Sequence, residues 1–135
     1  MHIRKADHVA LVVENVEHSR QFYIQVLGMQ EVPRPQNFDF PGAWLQTTDF
    51  LIHLIGEDVE GRSRQLNSGY TASELAVGHA THIAFEVNDL EEAMLHLHAQ
   101  GVEIAGGPRP RGDGVQQLYF LDPDGYVIEF YVWAS

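Results

Sequence analysis

The stretch "DHVALVVENVEHSRQFYIQVLGM", residues 7–29, is repeated in outline by "THIAFEVNDLEEAMLHLHAQGVEI", residues 81–104. The offset is 82 − 8 = 74, with one residue of slippage near the end. Such a repeat has to be found before single elements are assigned, because missing it misreads the whole fold. Each copy places a histidine one residue into an apolar, β-branched run that predicts a strand. Each then has an Asx residue, Asn15 or Asp89, suited to cap a helix. Acidic residues fill both first turns, where the helix dipole favours them, and Glu92 stands at capping-box spacing from Asp89. Gly28 and Gly101 suit the left-handed position that ends each helix.

After each helix comes a second block of strands, "GAWLQTTDFLIHLIG" in the first half and "GVQQLYFLDPDGYVIEFYVW" in the second, with "DPDG" as a tight turn. The intervening "GEDVEGRSRQLNSGYTASELAVG" is polar and without sustained periodicity, and reads as a linker or loop. The order is strand, helix, about three strands, linker, and the same again: an α+β domain over residues 1–135. Its first module spans about 1–57, the linker about 58–78 and the second module about 79–135.

Length and composition fit one soluble domain able to bury a core. A net charge of −11, from 19 acidic against 8 basic residues, disfavours nucleic acid and anionic membranes as partners. With no cysteine there is neither a disulfide framework nor a thiol nucleophile, which fits the cytoplasm. No apolar run approaches membrane-spanning length.

Within "YVIEFYV", residues 126–132, Glu129 is a carboxylate in a strand otherwise apolar or aromatic. Ionised there, it costs several kcal/mol unless something pairs with it. The repeat suggests the partner. His8 maps to His82, and His53, in "FLIHLI", maps to Glu129 at 129 − 53 = 76. A pseudo-twofold relation between the halves would bring the four together. Three histidines and one carboxylate form a set suited to one divalent ion, Zn, Ni, Co, Mn or Fe, with little discrimination among them. The plainer alternative keeps each histidine as a hydrogen-bonded core residue and pairs Glu129 with a basic side chain. His2, His18, His79, His96 and His98 fall on a terminus, a first turn, a loop and a helix face, and are read as solvated.

At "DHVALVV", "SRQFYIQVLGM", "IHLI", "THIAFEVNDLEEA" and "YFLDPDGYVIEF" the sequence resembles the vicinal oxygen chelate superfamily. That group includes glyoxalases, bleomycin-resistance and fosfomycin-resistance proteins, epimerases and extradiol dioxygenases. The resemblance covers nearly the whole chain. It implies two βαβββ modules, a curved, mostly antiparallel sheet around a central metal, and metal ligands at His8, His53, His82 and Glu129. It also implies a homodimer, sometimes with sites shared between chains. The chain departs from glutathione-dependent glyoxalases, which usually carry a carboxylate at the position of His53 and often an arginine near Val12. It departs from fosfomycin-resistance proteins at Ala10, where those usually have threonine, and from epimerases, which typically have glutamine at the position of His53. Small glyoxalase-like proteins remain the nearest pattern.

Three activities follow as expectations. The first is a lyase or isomerase acting on a small molecule that chelates the metal through vicinal oxygens, with Glu129 as catalytic base and Glu86 as an alternative. The second is an Fe(II)-dependent extradiol-type dioxygenase using His8, His82 and Glu129, with His53 as an acid or base beside the metal. The third is a non-catalytic binding or resistance protein that holds a small aromatic ligand. Trp44, Tyr119 and Tyr131 are the candidate substrate-binding residues, although aromatics at such positions pack cores as often. Arg109 and Arg111, in "GGPRPRGDG", are candidates to meet an anionic substrate end or are solvated.

Overall fold

The computed structural model describes residues 1–134. It divides into two compact units, Met1–Leu66 and the residues from Asn67 onward. The first contains β1 (His8–Val13), α1 (Val16–Gln25), β2 (Gln30–Val32), β3 (Gly42–Thr47), β4 (Phe50–Gly56) and a short α2 (Arg62–Leu66). The second contains a short α3 (Ala72–Val77), β5 (His82–Glu86), α4 (Leu90–Ala99), β6 (Ile104–Pro110), β7 (Val115–Leu121) and β8 (Val127–Trp133).

Each unit builds one four-stranded mixed sheet in the same order, β1-β4-β3-β2 and β5-β8-β7-β6. In each, the first strand runs parallel to the last, and the other two pairings are antiparallel. A parallel pair needs a crossover, and the helix with its following strands supplies it. The α+β class and the duplicated βαβββ order read from the sequence are therefore what the chain forms.

Local chemistry sets the helix ends as expected. Asn15 caps α1 by accepting from the His18 N–H at 2.9 Å, and Asp89 caps α4 by accepting from the Glu92 N–H at 3.1 Å. Gly28 and Gly101 follow the helices at φ +68° and +73°, where a Cβ would be strained. In the "DPDG" turn, Asp122 accepts from the N–H groups of Asp124 at 2.9 Å and Tyr126 at 2.8 Å, which joins β7 to β8.

Strand alternation then divides each sheet into two faces. One face of the first unit is core. Leu11 and Val13 of β1, Ile52 and Leu54 of β4, and Ala43 and Leu45 of β3 are buried, as are Ser19 and Tyr23 of α1. In the second unit the equivalent face holds Leu118, Phe120, Ile128 and Phe130, with Leu90 and Leu97 of α4 also buried. Each large side chain fully buried in this way contributes about 1.5–3 kcal/mol. The opposite face of each sheet carries the polar residues singled out above.

The stretch 58–78 differs from its reading as a linker or loop, because two short helices form in it. Thr71 and Glu74 make a full capping box, and Gly78 ends α3 in the left-handed region at φ +76°. These stop and start signals were present in "TASELAVG", but six residues are too few to show a helical period. The start of α2 is held by Glu57, whose two carboxylate oxygens accept from the N–H groups of Gly61 and Ser63, each at 3.0 Å. Those backbone donors, Ser63 first, hold the Glu57 carboxyl below its usual 4.5. A depressed folded-state pKa contributes stability above the unfolded value, lost as pH falls through the folded one. Glu57→Gln should therefore lower the melting temperature at pH 7, and the gap from wild type should close as pH is taken below 4.5. A gap independent of pH in thermal melts would contradict this.

Candidate metal and substrate site

The strand register brings the predicted residues together within each unit. On the first sheet, His53 of β4 lies between Ala10 of β1 and Trp44 of β3, and His8 stands two residues before Ala10. On the second, Glu129 of β8 lies between Ala84 of β5 and Tyr119 of β7, and His82 stands two residues before Ala84. The two arrangements correspond position for position, at offsets of 74, 76 and 119 − 44 = 75. Residues paired across a ladder point to the same side of a sheet, so each quartet shares one face. The alanine beside each central residue leaves that face open on its first strand, where His8, Ala10, His82 and Ala84 are exposed.

In the first unit the three rings stack. His8 and His53 have centroids 3.8 Å apart with planes at 12°, and His53 and Trp44 are 4.0 Å apart at 5°. The Nδ1 of His8 bonds to the Asp7 carboxylate at 2.7 Å. A carboxylate only accepts, so Nδ1 carries a proton and Nε2 is the nitrogen not tied by this bond. The Nε2 of His53 is buried with no hydrogen-bond partner. Burial, and then the neighbouring His8, push the His53 pKa below its ordinary value and favour the neutral ring that a metal requires.

In the second unit Glu129 is 4% exposed, and its Oε1 lies 3.2 Å from the Nε2 of His82. Its partner is thus a histidine and not an arginine or lysine. The His82 Nδ1 bonds to the Ala80 carbonyl at 2.7 Å, so that nitrogen also carries a proton. A neutral His82 would then aim a lone pair at a carboxylate lone pair. A proton shared between them, carried by either partner, or a metal ion removes the repulsion. The other oxygen, Glu129 Oε2, is buried without a hydrogen-bond partner. Tyr119 sits edge-on to His82, with centroids 5.5 Å apart. Burial, and then the charge of Glu129, raise its phenol pKa. The Tyr119 hydroxyl accepts from the Gln117 amide.

The donor set fits a divalent ion: two histidines whose Nδ1 is already tied, a third with a buried unpartnered Nε2, and a carboxylate with a buried unpartnered oxygen. Among the described residues no group of three or more His, Cys, Asp or Glu lies close enough to hold a metal ion; each unit brings two of the predicted ligands together. The stack also bears on ligation. Imidazole lone pairs lie in the ring plane, so two rings nearly parallel and 3.8 Å apart do not aim at one point, and His8 or His53 must turn for both to bind.

Of the other candidates, Trp44 and Tyr119 fall directly beside His53 and Glu129. Tyr131 lies two residues beyond Glu129 on the same face, opposite Gln117 and Glu86. Glu86 closes β5 and is exposed. Sequence reasoning missed three features. Asp7 orients His8 from the adjacent position. Gln117 is a buried amide just before the apolar "LYFL", and its neighbour Gln116 masks it in the sequence. The third is α3, which lies across β6 and β7: a Cβ on Gly106 would come within 2.1 Å of the Ala76 carbonyl oxygen, and one on Gly78 within 2.3 Å of the Tyr119 phenol.

Comparison with known proteins gives the family and the fold. The family model for the glyoxalase/bleomycin resistance protein/dioxygenase superfamily matches residues 5–130. A lactoylglutathione lyase of Neisseria meningitidis is 34% identical over 127 residues, covering 91% of this chain and 86% of the relative. Among solved structures, an integron cassette protein from the mobile metagenome of V. cholerae is 30% identical with a TM-score of 0.72, covering 99% and 98% of the two chains. A glyoxalase/dioxygenase from Nostoc punctiforme is 26% identical with a TM-score of 0.76, covering 98% and 92%.

The close approach of α3 is open to test. Gly106→Ala should cost about 1–3 kcal/mol, because the new methyl meets backbone that cannot swing aside. Chemical denaturation measures it, and a midpoint equal to wild type would show that α3 does not rest on β6. With its duplicated βαβββ order and a match over residues 5–130, the chain belongs to the glyoxalase/bleomycin resistance protein/dioxygenase superfamily.

Proposed function

We propose that the protein is a metal-dependent lyase or isomerase of glyoxalase type, acting on a small molecule with two neighbouring oxygens. The observation that carries this is the His82–Glu129 pair, a buried carboxylate facing an imidazole nitrogen that needs a cation between them. In this reading His8 and His53 supply one pair of ligands, and His82 and Glu129 the other. The homodimer expected of the family would offer a second copy of each pair. The bound ion, Zn, Ni, Co, Mn or Fe, supplies Lewis acidity toward the two substrate oxygens.

The chain's own residues do the rest. Asp7 and the Ala80 carbonyl fix the tautomers of His8 and His82 and keep both rings oriented. Glu129 is the base in this reading, and its Oε2 has no hydrogen-bond partner of its own. Tyr119 and Gln117 hold the carboxylate's surroundings dry and polar on one side. Trp44, stacked on His53, and Tyr131 offer ring faces to the body of the substrate. The relative named lactoylglutathione lyase makes a thiol adduct of a 2-oxoaldehyde the first substrate to try.

The His8–His53 stack supports a second reading, in which only one of the two rings binds and His53 stands aside from His8, His82 and Glu129. That set of two histidines and one carboxylate suits Fe(II) and oxygen chemistry of the extradiol type, with His53 as a neighbouring acid or base.

Protein purified without chelator should carry about one divalent ion per site, and His82→Ala should weaken uptake at least tenfold in calorimetric titration. Glu129→Gln should lower turnover by about 10²–10⁴-fold. Full turnover with metal retained in that variant would remove Glu129 from its role. Oxygen consumption dependent on Fe(II) would move the assignment to the second reading.

A further inference from the structure

The face of the second sheet does not end at Tyr119 and Glu129. Gln117 lies opposite Tyr131 on one side and opposite Arg109 of β6 on the other, so Arg109, Gln117, Tyr119, Glu129 and Tyr131 share that face. Two arginines reach this part of the molecule, and they differ in state. Arg111 is neutralised by Asp113, with three N–H to carboxylate bonds of 2.6–3.1 Å, and lies over the rings of Tyr131 at 5.9 Å and Trp133 at 6.0 Å. Arg109 is exposed, and among the described residues it has no carboxylate within ion-pair distance. Its charge nevertheless reaches the Tyr119 phenol and favours the ionised form there. Between the two, Gln117 is 5% exposed and its Oε1 is buried without a hydrogen-bond partner, which is costly unless a donor arrives.

A free guanidinium beside a buried, unsatisfied amide oxygen describes a polar subsite at the outer end of the face. In a chain of net charge −11 an arginine left unpaired among site residues is placed against the general field. We propose that Arg109 binds the far end of the substrate, and that this end is anionic, a carboxylate or phosphate set a few atoms from the chelating oxygens. Guanidinium is suited to the task because its fork matches both anions in two-pronged fashion. The substrate class is thus a small, doubly functional acid, with vicinal oxygens at one end and an anion at the other. This deepens the proposed function and rests on it for the position of the chelating end.

The test uses two probes of equal chain length, 2-oxoglutarate and 2-oxovalerate. Both present neighbouring oxygens, and only the first has a distal carboxylate. Binding to the full chain is measured by calorimetry with and without Zn²⁺, after metal uptake has been verified for each variant. Wild type should prefer 2-oxoglutarate about tenfold or more. Arg109→Gln should lose that preference while binding 2-oxovalerate and Zn²⁺ as before, Arg109→Lys should keep part of it, and Arg111→Gln should keep it. No preference in wild type, an undiminished preference in Arg109→Gln, or its loss in Arg111→Gln instead would overturn the inference. So would failure of 2-oxoglutarate to bind at all. Failure of Zn²⁺ uptake alone would count against the chelate site, while the preference measured without metal would still decide the role of Arg109.

Discussion

The constraint on which the rest depends is a carboxylate in a place that does not solvate it. Glu129 is sealed into β8, one oxygen 3.2 Å from the His82 ring and the other unpartnered. The His82 ring cannot adapt by changing tautomer, because the Ala80 carbonyl already holds its Nδ1–H. Two acceptors therefore face each other across a gap that a positive charge must fill. A proton satisfies the pair as a buried ion pair, which by itself adds little to stability. His53, the residue at the corresponding register of the other sheet, poses the same demand within its own unit: its Nε2 is buried without a partner.

The duplicated order turns this constraint into a site design. Each sheet sets a large ligand-type residue on its last strand between a small residue on the first strand and an aromatic on the third: Ala10, His53 and Trp44 in one, Ala84, Glu129 and Tyr119 in the other. Alternation gives the opposite face to Leu, Ile, Val and Phe, so core and chemistry occupy separate sides of the same strands. That separation lets the polar face vary, from stacked imidazoles in one unit to a histidine–carboxylate contact in the other, without disturbing the packing that holds each sheet.

Much of this was legible in the chain. The repeat declared the strand–helix–strands order, and strand parity placed Tyr131 on the same side as Glu129; the register that sets Tyr119 beside Glu129 came with the structure. Asn15, Asp89, Gly28 and Gly101 ended their helices where their chemistry required. What was not legible depended on distance between elements. The His8–His53 stack is a matter of ring rotation, which register does not fix. The burial of Gln117 was masked in the sequence by its neighbour Gln116, and the role of Gly106 emerged only once Ala76 lay against it. The short α3 escaped because its signals were capping signals without a period.

X-ray absorption at the metal edge of the metal-loaded protein tests the central claim most directly. The account predicts an inner shell dominated by imidazole nitrogens, with the multiple-scattering signature of two or three histidines and at least one oxygen that is lost or lengthened in Glu129→Gln. A shell made of water oxygens, or one unchanged when His82 and Glu129 are replaced, would contradict it.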